Sequence, residues 1–127
     1  MSSQPNDTPV QHPSSLSGAE ADIHRLLVAL IKLALVDEPS EAAAWRTDAL
    51  VVQGRIAAGF AEIGTSRLDT LWSMAVKVAE RDPAVRRAEV INPILPTMSP
   101  LSFDVLKALP FELDPIVQSI RDVSSFG

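Results

Sequence analysis

The feature that most constrains the fold is the apolar run IHRLLVALIKLALV, which extends from Ile23 to Val36. On a helical wheel its apolar residues cover most of the circumference and leave a narrow polar strip with Asp22, Arg25 and Lys32. The run is about two-thirds of the length that a bilayer requires, and charges interrupt it, so we do not expect it to span a membrane. A helix this apolar is typical of the centre of a helical core, and Pro39 predicts its end.

The composition favours an all-α fold. The chain has 127 residues, 46% hydrophobic and 5% aromatic, so its apolar content is mostly Ala, Leu, Val and Ile. That content suits packed helices, and the length suits one domain with one core. We therefore predict a small helical bundle of three main helices plus short C-terminal helices. The chain contains no Cys, which excludes disulfides and cysteine-ligated metal sites and is compatible with the cytoplasm.

The first 18 residues, MSSQPNDTPVQHPSSLSG, are rich in Pro and Ser and nearly free of large apolar side chains. Such a segment cannot bury enough apolar surface to offset the entropy of ordering it, so we predict a disordered tail over residues 1–18. Residues 19–127 then form a single helical domain. The tail has neither the pattern of a secretory signal nor that of a transit peptide, and we expect a cytoplasmic protein.

A second helix is predicted from an N-cap at Ser40 to a C-terminal stop at Gly64. Gly54 and Gly59 lie inside it, which indicates either close approach of a neighbouring helix or local weakness. Its apolar stripe consists of Trp45, Ala49, Val52, Ile56, Phe60 and Ile63. Periodicity at intervals of three and four residues therefore predicts one continuous buried face.

A third helix is predicted to start after Thr65 or Ser66, with Asp69 completing a weak capping box. Its expected buried face consists of Leu68, Leu71, Trp72, Ala75, Val78 and Ala79. Asp82 and Pro83 then predict a short fourth helix that stops near Asn92.

The rest of the chain is expected to hold two short helices after an irregular loop. INPILPTMSP carries three Pro within ten residues and cannot form a regular helix. Ser99 followed by Pro100 predicts a helix through Leu109, and Asp114 followed by Pro115 predicts a last helix through Asp122. The residues expected to dock that last helix are Ile116, Val117, Ile120 and Val123.

The order of the segments LLVALIKLAL, PSEAAAWR, QGRIAAGF, SRLDTLWSMAVKVAERD and LPTMSPLSFDVLKALPF resembles a bacterial helical family. That family is catalogued as a domain of unknown function, the twenty-ninth of its series, and the resemblance covers its C-terminal two-thirds. The matching positions are Lys32, Pro39, Trp45, Arg55, Leu68, Pro100 and Phe111. The resemblance implies a helical fold and no activity, because the family has none established. The Pro- and Ser-rich tail stands where the family usually carries acidic, aromatic N-terminal helices.

The sequence contains no strong catalytic or binding motif. A phosphate loop, a dinucleotide fingerprint, HExxH and GxSxG are all absent, so we predict no catalytic, cofactor-binding or metal-binding residues. The remaining polar candidates are His24, Asp48 and Arg55. His24 lies at the edge of the first helix's apolar face and is interpreted as a rim histidine. Asp48 and Arg55 flank one side of the second helix's stripe and are interpreted as ion-pair partners of neighbouring helices.

The net charge of −5 disfavours a nucleic-acid partner, which would need clustered Lys and Arg. The local cluster of Arg81, Arg86 and Arg87 is interpreted as solvated or paired with nearby acids.

A protein partner is favoured instead, because three modest helices leave apolar positions uncovered. The candidates for such an interface are Val28 and Leu35 on the first helix and Leu50, Ala57 and Ala61 on the second. We therefore expect a non-enzymatic interaction module that self-associates as a homo-oligomer or serves as a subunit of a larger assembly. The alternatives are an acidic inhibitor or immunity-type protein that binds a basic enzyme, and a small metal-independent enzyme.

Overall fold

The computed structural model describes residues 18–36, 39–59, 64–83, 85 and 95–124. These residues form five α-helices and contain no strand, which confirms the predicted all-α fold. The helices are α1 (Gly18–Leu35), α2 (Pro39–Ala58), α3 (Thr65–Glu80), α4 (Phe103–Leu106) and α5 (Leu113–Asp122). Helix α1 begins at Gly18, the last residue that the sequence assigned to the tail, and residues 1–17 of the predicted tail lie outside the described residues.

Helix α1 is the centre of the bundle, because α2, α3 and α5 all pack against it. Its side chains with no accessible surface are Leu26, Leu27, Leu30 and Ile31. Burial of one such side chain contributes about 1.5–3 kcal/mol, so enclosure of α1 supplies much of the folding free energy. The predicted polar strip is present, with Arg25 exposed and Asp22 and Lys32 half-buried. Within the described part of the chain, no helix combines the length and the apolar character needed to cross a bilayer.

Helix α2 starts one residue before the predicted cap and ends at Ala58, where the N–H of Gly59 donates to the carbonyl of Arg55 at 3.1 Å. Ala49, Val52 and Ile56 are buried as predicted, and Trp45 is half-buried against the core. Gly54 does not serve close packing within the described part of the chain, because a Cβ at this position would meet none of its atoms within 4 Å. The predicted extension to Ile63 includes residues 60–63, which lie outside the described residues.

Helix α3 begins differently from the prediction. Gly64 is its N-cap and not the stop of the preceding helix, and no side chain caps α3. The capping box expected from Ser66 and Asp69 is wrong, because Asp69 Oδ1 accepts a hydrogen bond from the N–H of Ser99 at 2.8 Å. Five of the six residues of the predicted face are buried: Leu68, Leu71, Trp72, Ala75 and Ala79. Val78 is exposed because it lies at the edge of that face.

The N-cap of α4, the helix after the loop, lies three residues later than predicted. Ser102, and not Ser99, is the N-cap of α4, and its Oγ accepts from the N–H of Val105 at 3.3 Å. Ser99 Oγ instead donates to the carbonyl of Leu101 at 2.7 Å. Helix α4 ends at Leu106 rather than at Leu109.

Helix α5 begins at Leu113, so Asp114 and Pro115 occupy its first turn. Ile116, Val117 and Ile120 are buried as predicted. Val123 is exposed and lies just after the end of the helix at Asp122. Of the predicted fourth helix, Pro83 and Val85 are helical, and Val85 is buried. Asp82 is not helical. The other residues up to Asn92 lie outside the described residues.

Three long side chains donate hydrogen bonds to distant backbone carbonyls and hold the less regular parts of the chain. Trp72 Nε1 donates to the carbonyl of Pro96 at 2.8 Å. Gln53 Nε2 donates to the carbonyl of Ala108 at 2.8 Å and to that of Leu106 at 3.1 Å. Arg121 donates to the carbonyls of Leu33 at 2.9 Å and Ala34 at 3.1 Å. Arg121 thereby satisfies carbonyls at the C-terminus of α1, where a positive charge is also favoured by the helix dipole.

Trp72 is expected to be essential to this core, because it has no accessible surface and its indole bonds the segment after α3. Trp72→Ala should lower the free energy of unfolding by about 3–5 kcal/mol, as measured by urea denaturation followed by circular dichroism. The control is Leu109→Ala, at a side chain that is 71% exposed, which should change stability by less than about 0.5 kcal/mol. Equal, small changes in both variants would show that the core does not depend on Trp72.

Candidate interaction surface

The predicted polar residues Asp48 and Arg55 bind opposite charges on α1 and do not form one site. Arg25 Nε donates to Asp48 Oδ2 at 3.0 Å, and its Nη2 bonds the other carboxylate oxygen. Arg55 Nη2 donates to Asp22 Oδ1 at 3.0 Å. The hydrogen bond to Asp22, together with the charge of that carboxylate, raises the pKa of Arg55 above its ordinary value. Each residue therefore joins α2 to α1 as an interhelical ion pair.

Two further ion pairs join α1 to other parts of the chain. Arg67 on α3 donates to Glu20 through Nε at 2.7 Å and Nη2 at 3.0 Å, and this bidentate contact raises the pKa of Arg67. Lys32 Nζ bonds Asp82 Oδ2 at 2.9 Å and lies 5.2 Å from the centre of the Trp45 ring. Both pairs are partly buried, and each joins α1 to a residue in or just after α3. These charges are engaged within the chain, which argues against a role in acid–base chemistry.

His24 lies inside the core and not at its rim, since only 6% of it is exposed. Its Nε2 is buried without a hydrogen-bond partner. Burial lowers the pKa of His24, and a hydrogen bond with the Met74 backbone opposes that shift. An imidazole enclosed in this way cannot reach a substrate in the solvent. Among the described residues, no group of three or more His, Cys, Asp or Glu side chains is arranged to hold a metal ion.

A groove of about 450 Å³ lies between the start of α3 and residues 99–104. Its polar lining includes Thr65, Asp69, Ser102 and Asp104. Asp69 already accepts the backbone N–H of Ser99, so its main role is to hold the loop against α3. The residues that line the groove include no Lys, Arg, His or Cys, so they do not indicate a particular reaction.

The outer side of α2 carries an exposed surface without charge. It consists of Ala43, Ala44, Thr47, Leu50, Val51, Gly54 and Ala58, all exposed. At 3.6 residues per turn these positions fall within an arc of about 120° and extend along about 22 Å of the helix. We call this surface the α2 outer face. Leu50 is 50% exposed and Val51 is 55% exposed. Both lie about halfway along the length of the face, but on opposite sides of it, because successive residues are about 100° apart around a helix.

The segment between α4 and α5 lies beside this helix. Gln53 is buried and bonds the carbonyls of Leu106 and Ala108, which holds that segment next to α2. The next residue, Leu109, is 71% exposed. An exposed apolar side chain therefore lies on a loop that is fixed against α2. The sequence did not single out Gln53, because a glutamine inside an amphipathic helix carries no signal of its distant acceptors.

The residues predicted as an interface have different outcomes. Leu50 belongs to the α2 outer face, and Ala57 is half-buried at its margin. Val28 and Leu35 are buried within the core cluster and are not part of the exposed surface. Ala61 lies outside the described residues.

No family model matches the chain, and no match is found among curated proteins or among solved structures. The resemblance to the twenty-ninth family of unknown function therefore stays a prediction. Any functional assignment depends on the geometry of the described residues.

The buried imidazole gives a testable pH dependence. Because the pKa of His24 in the fold is below the ordinary value of 6.5, the unfolded chain takes up the proton first as pH falls. The free energy of unfolding should therefore decrease as pH falls below about 6.5. His24→Leu should remove this decrease, as measured by urea denaturation between about pH 7.5 and 5.5.

The matched control is His12→Gln, which replaces the other of the two histidines. His12 lies outside the described residues. This variant should keep the wild-type pH dependence. If His24→Leu also keeps it, the loss of stability comes from a group other than His24.

Proposed function

We propose that the protein is a non-enzymatic helical interaction module that binds a protein partner through the α2 outer face, with the cytoplasm as its expected location. The observation that carries this proposal is the uncharged, exposed surface that includes Leu50 and Val51, each at least half exposed. Contiguous exposed apolar surfaces on small soluble domains mark interaction sites.

The small side chains of the face favour a helix as its partner. Ala43, Gly54 and Ala58 present little volume, and a Cβ at Gly54 would meet no atom within 4 Å. Two helices can therefore approach closely, at an interaxial distance near the lower end of about 8–10 Å. Burial of the apolar surface then contributes about 25 cal/mol per Å² removed from water.

The alternative of an acidic inhibitor has less support among the described residues. Four of its carboxylates, Glu20, Asp22, Asp48 and Asp82, already pair with a basic side chain of the same chain, which lowers the acidic charge that is left for a basic enzyme. The enzyme alternative has less support still, because His24 is buried and Asp48 and Arg55 are engaged in ion pairs.

The proposal is tested by placing a charge in the centre of the α2 outer face. Val51→Lys should weaken association about tenfold or more, because the apolar interface would bury an ammonium group without a partner. Light scattering of the purified protein over a range of concentrations measures self-association. Capture from an extract of the cells that make the protein measures binding to other proteins.

The control is Val123→Lys, because Val123 has the same exposed fraction as Val51, 55%, and lies after the end of α5. It should associate as the wild type does. Circular dichroism should show both variants folded, since exposed substitutions rarely change stability by more than about 0.5 kcal/mol. Association that is equal in Val51→Lys and the wild type would contradict the proposal.

A further inference from the structure

We infer that the partner of the α2 outer face is a second copy of this chain, packed antiparallel about a two-fold axis beside Val51. This inference rests on the proposed function, since it names the occupant of the same surface. Two observations carry it: the arrangement of side-chain sizes along the face and the position of charges on one of its flanks.

The α2 outer face has a similar profile of side-chain size in both directions. Val51 lies halfway along the face, and alanines lie seven residues away in each direction, Ala44 towards the N-terminus and Ala58 towards the C-terminus. A two-fold axis beside Val51 brings Ala44 of one copy level with Ala58 of the other and Val51 against its own symmetry mate. A surface with this profile is complementary to itself, as a two-fold interface requires.

The charges on one flank favour the antiparallel direction. Asp48 and Arg55 follow each other along the same flank of the face, about 10 Å apart along the helix. In the antiparallel pair this flank of one copy faces the same flank of the other, and the two run in opposite directions. Asp48 of each copy is then nearly level with Arg55 of the other, with an offset of one residue along the helix. Both residues keep their ion pairs with α1. The side chains of Arg55, 50% exposed, and Asp48, 31% exposed, each remain accessible to a second opposite charge. Two symmetric pairs of opposite charge would therefore form.

The parallel direction is disfavoured by the same flank. In a parallel two-fold pair each flank meets the opposite flank of the second copy, so Asp48 and Arg55 lie beside the uncharged Thr47 and Gly54, and no pair of opposite charge forms. The other flank does not oppose the antiparallel arrangement. Arg46 lies level with Ile56 of the second copy, and about 15 Å of helix separates it from the level of the second Arg46.

The size of the face predicts how stable the dimer is. A contact along about 22 Å of one helix buries less than the roughly 1,200–2,000 Å² of stable complexes. We therefore expect a dimer that dissociates on dilution and whose geometry is best detected by trapping it covalently.

The absence of cysteine makes this test direct, because each single-cysteine variant of the full chain has one thiol. In Val51→Cys the thiol lies beside its symmetry mate, within reach of a disulfide. Mild oxidation of the purified protein should yield covalent dimer on the order of tenfold faster for Val51→Cys than for Val123→Cys, because association raises the local thiol concentration. Val123 is the control, since both valines are 55% exposed. Non-reducing electrophoresis measures the rates, and circular dichroism verifies the fold.

The outcomes separate this inference from the proposed function. Fast cross-linking at position 51 alone, with a dimer mass in light scattering, supports the second copy. Equal rates at both positions would overturn it. If the rates are equal and Val51→Lys still abolishes capture of a different protein, the face binds that protein and not itself. If the rates are equal and Val51→Lys changes no association, both the inference and the proposed function are wrong.

Discussion

The burial of α1 on nearly all sides is the constraint on which the rest of the structure depends. A helix whose apolar side chains occupy most of its circumference cannot be covered by a single neighbour, and α2, α3 and α5 pack against it together. The polar residues that remain on α1 are used to position those neighbours. Asp22 and Arg25 pair with α2, and Glu20 pairs with α3. Arg121 of α5 bonds carbonyls at the end of α1.

This arrangement explains why α2 has an apolar surface on its outer side. Its inner side contributes Ala49, Val52 and Ile56 to the core. Its charged residues Asp48 and Arg55 are directed to α1, so they do not interrupt the outer face. The outer face therefore consists of uncharged residues, because ion pairs hold the side chains of Asp48 and Arg55 against α1. The proposed interaction depends on this arrangement.

The sequence was sufficient to predict the helices and most of their buried faces. The reason is that burial of an amphipathic face leaves a periodic signal, as in Leu68, Leu71, Trp72 and Ala75 of α3. Residues at the margins of those faces are not specified in this way. Val78 fits the predicted stripe and is exposed, because its burial depends on how far the neighbouring helices extend.

Helix caps and the interface were harder to predict, because they depend on contacts between distant parts of the chain. Asp69 has the correct spacing for a capping box with Ser66, but a backbone N–H thirty residues later, at Ser99, takes its carboxylate. On the α2 outer face, Leu50 was identified from sequence as a candidate interface residue, whereas Ala43, Ala44 and Ala58 were not. Small residues contribute little to a hydrophobic pattern, so only the packing of α2 shows that they form one surface.

Native-state hydrogen exchange tests the central position of α1 most directly. If α1 is the helix that all others enclose, its amides from Leu26 to Ile31 should exchange only through global unfolding, with the free energy and denaturant dependence of the whole domain. Amides of α4 and α5 should exchange through smaller local openings. Exchange of the α1 amides that is faster than that of α2 and α3 would contradict a bundle organised around α1.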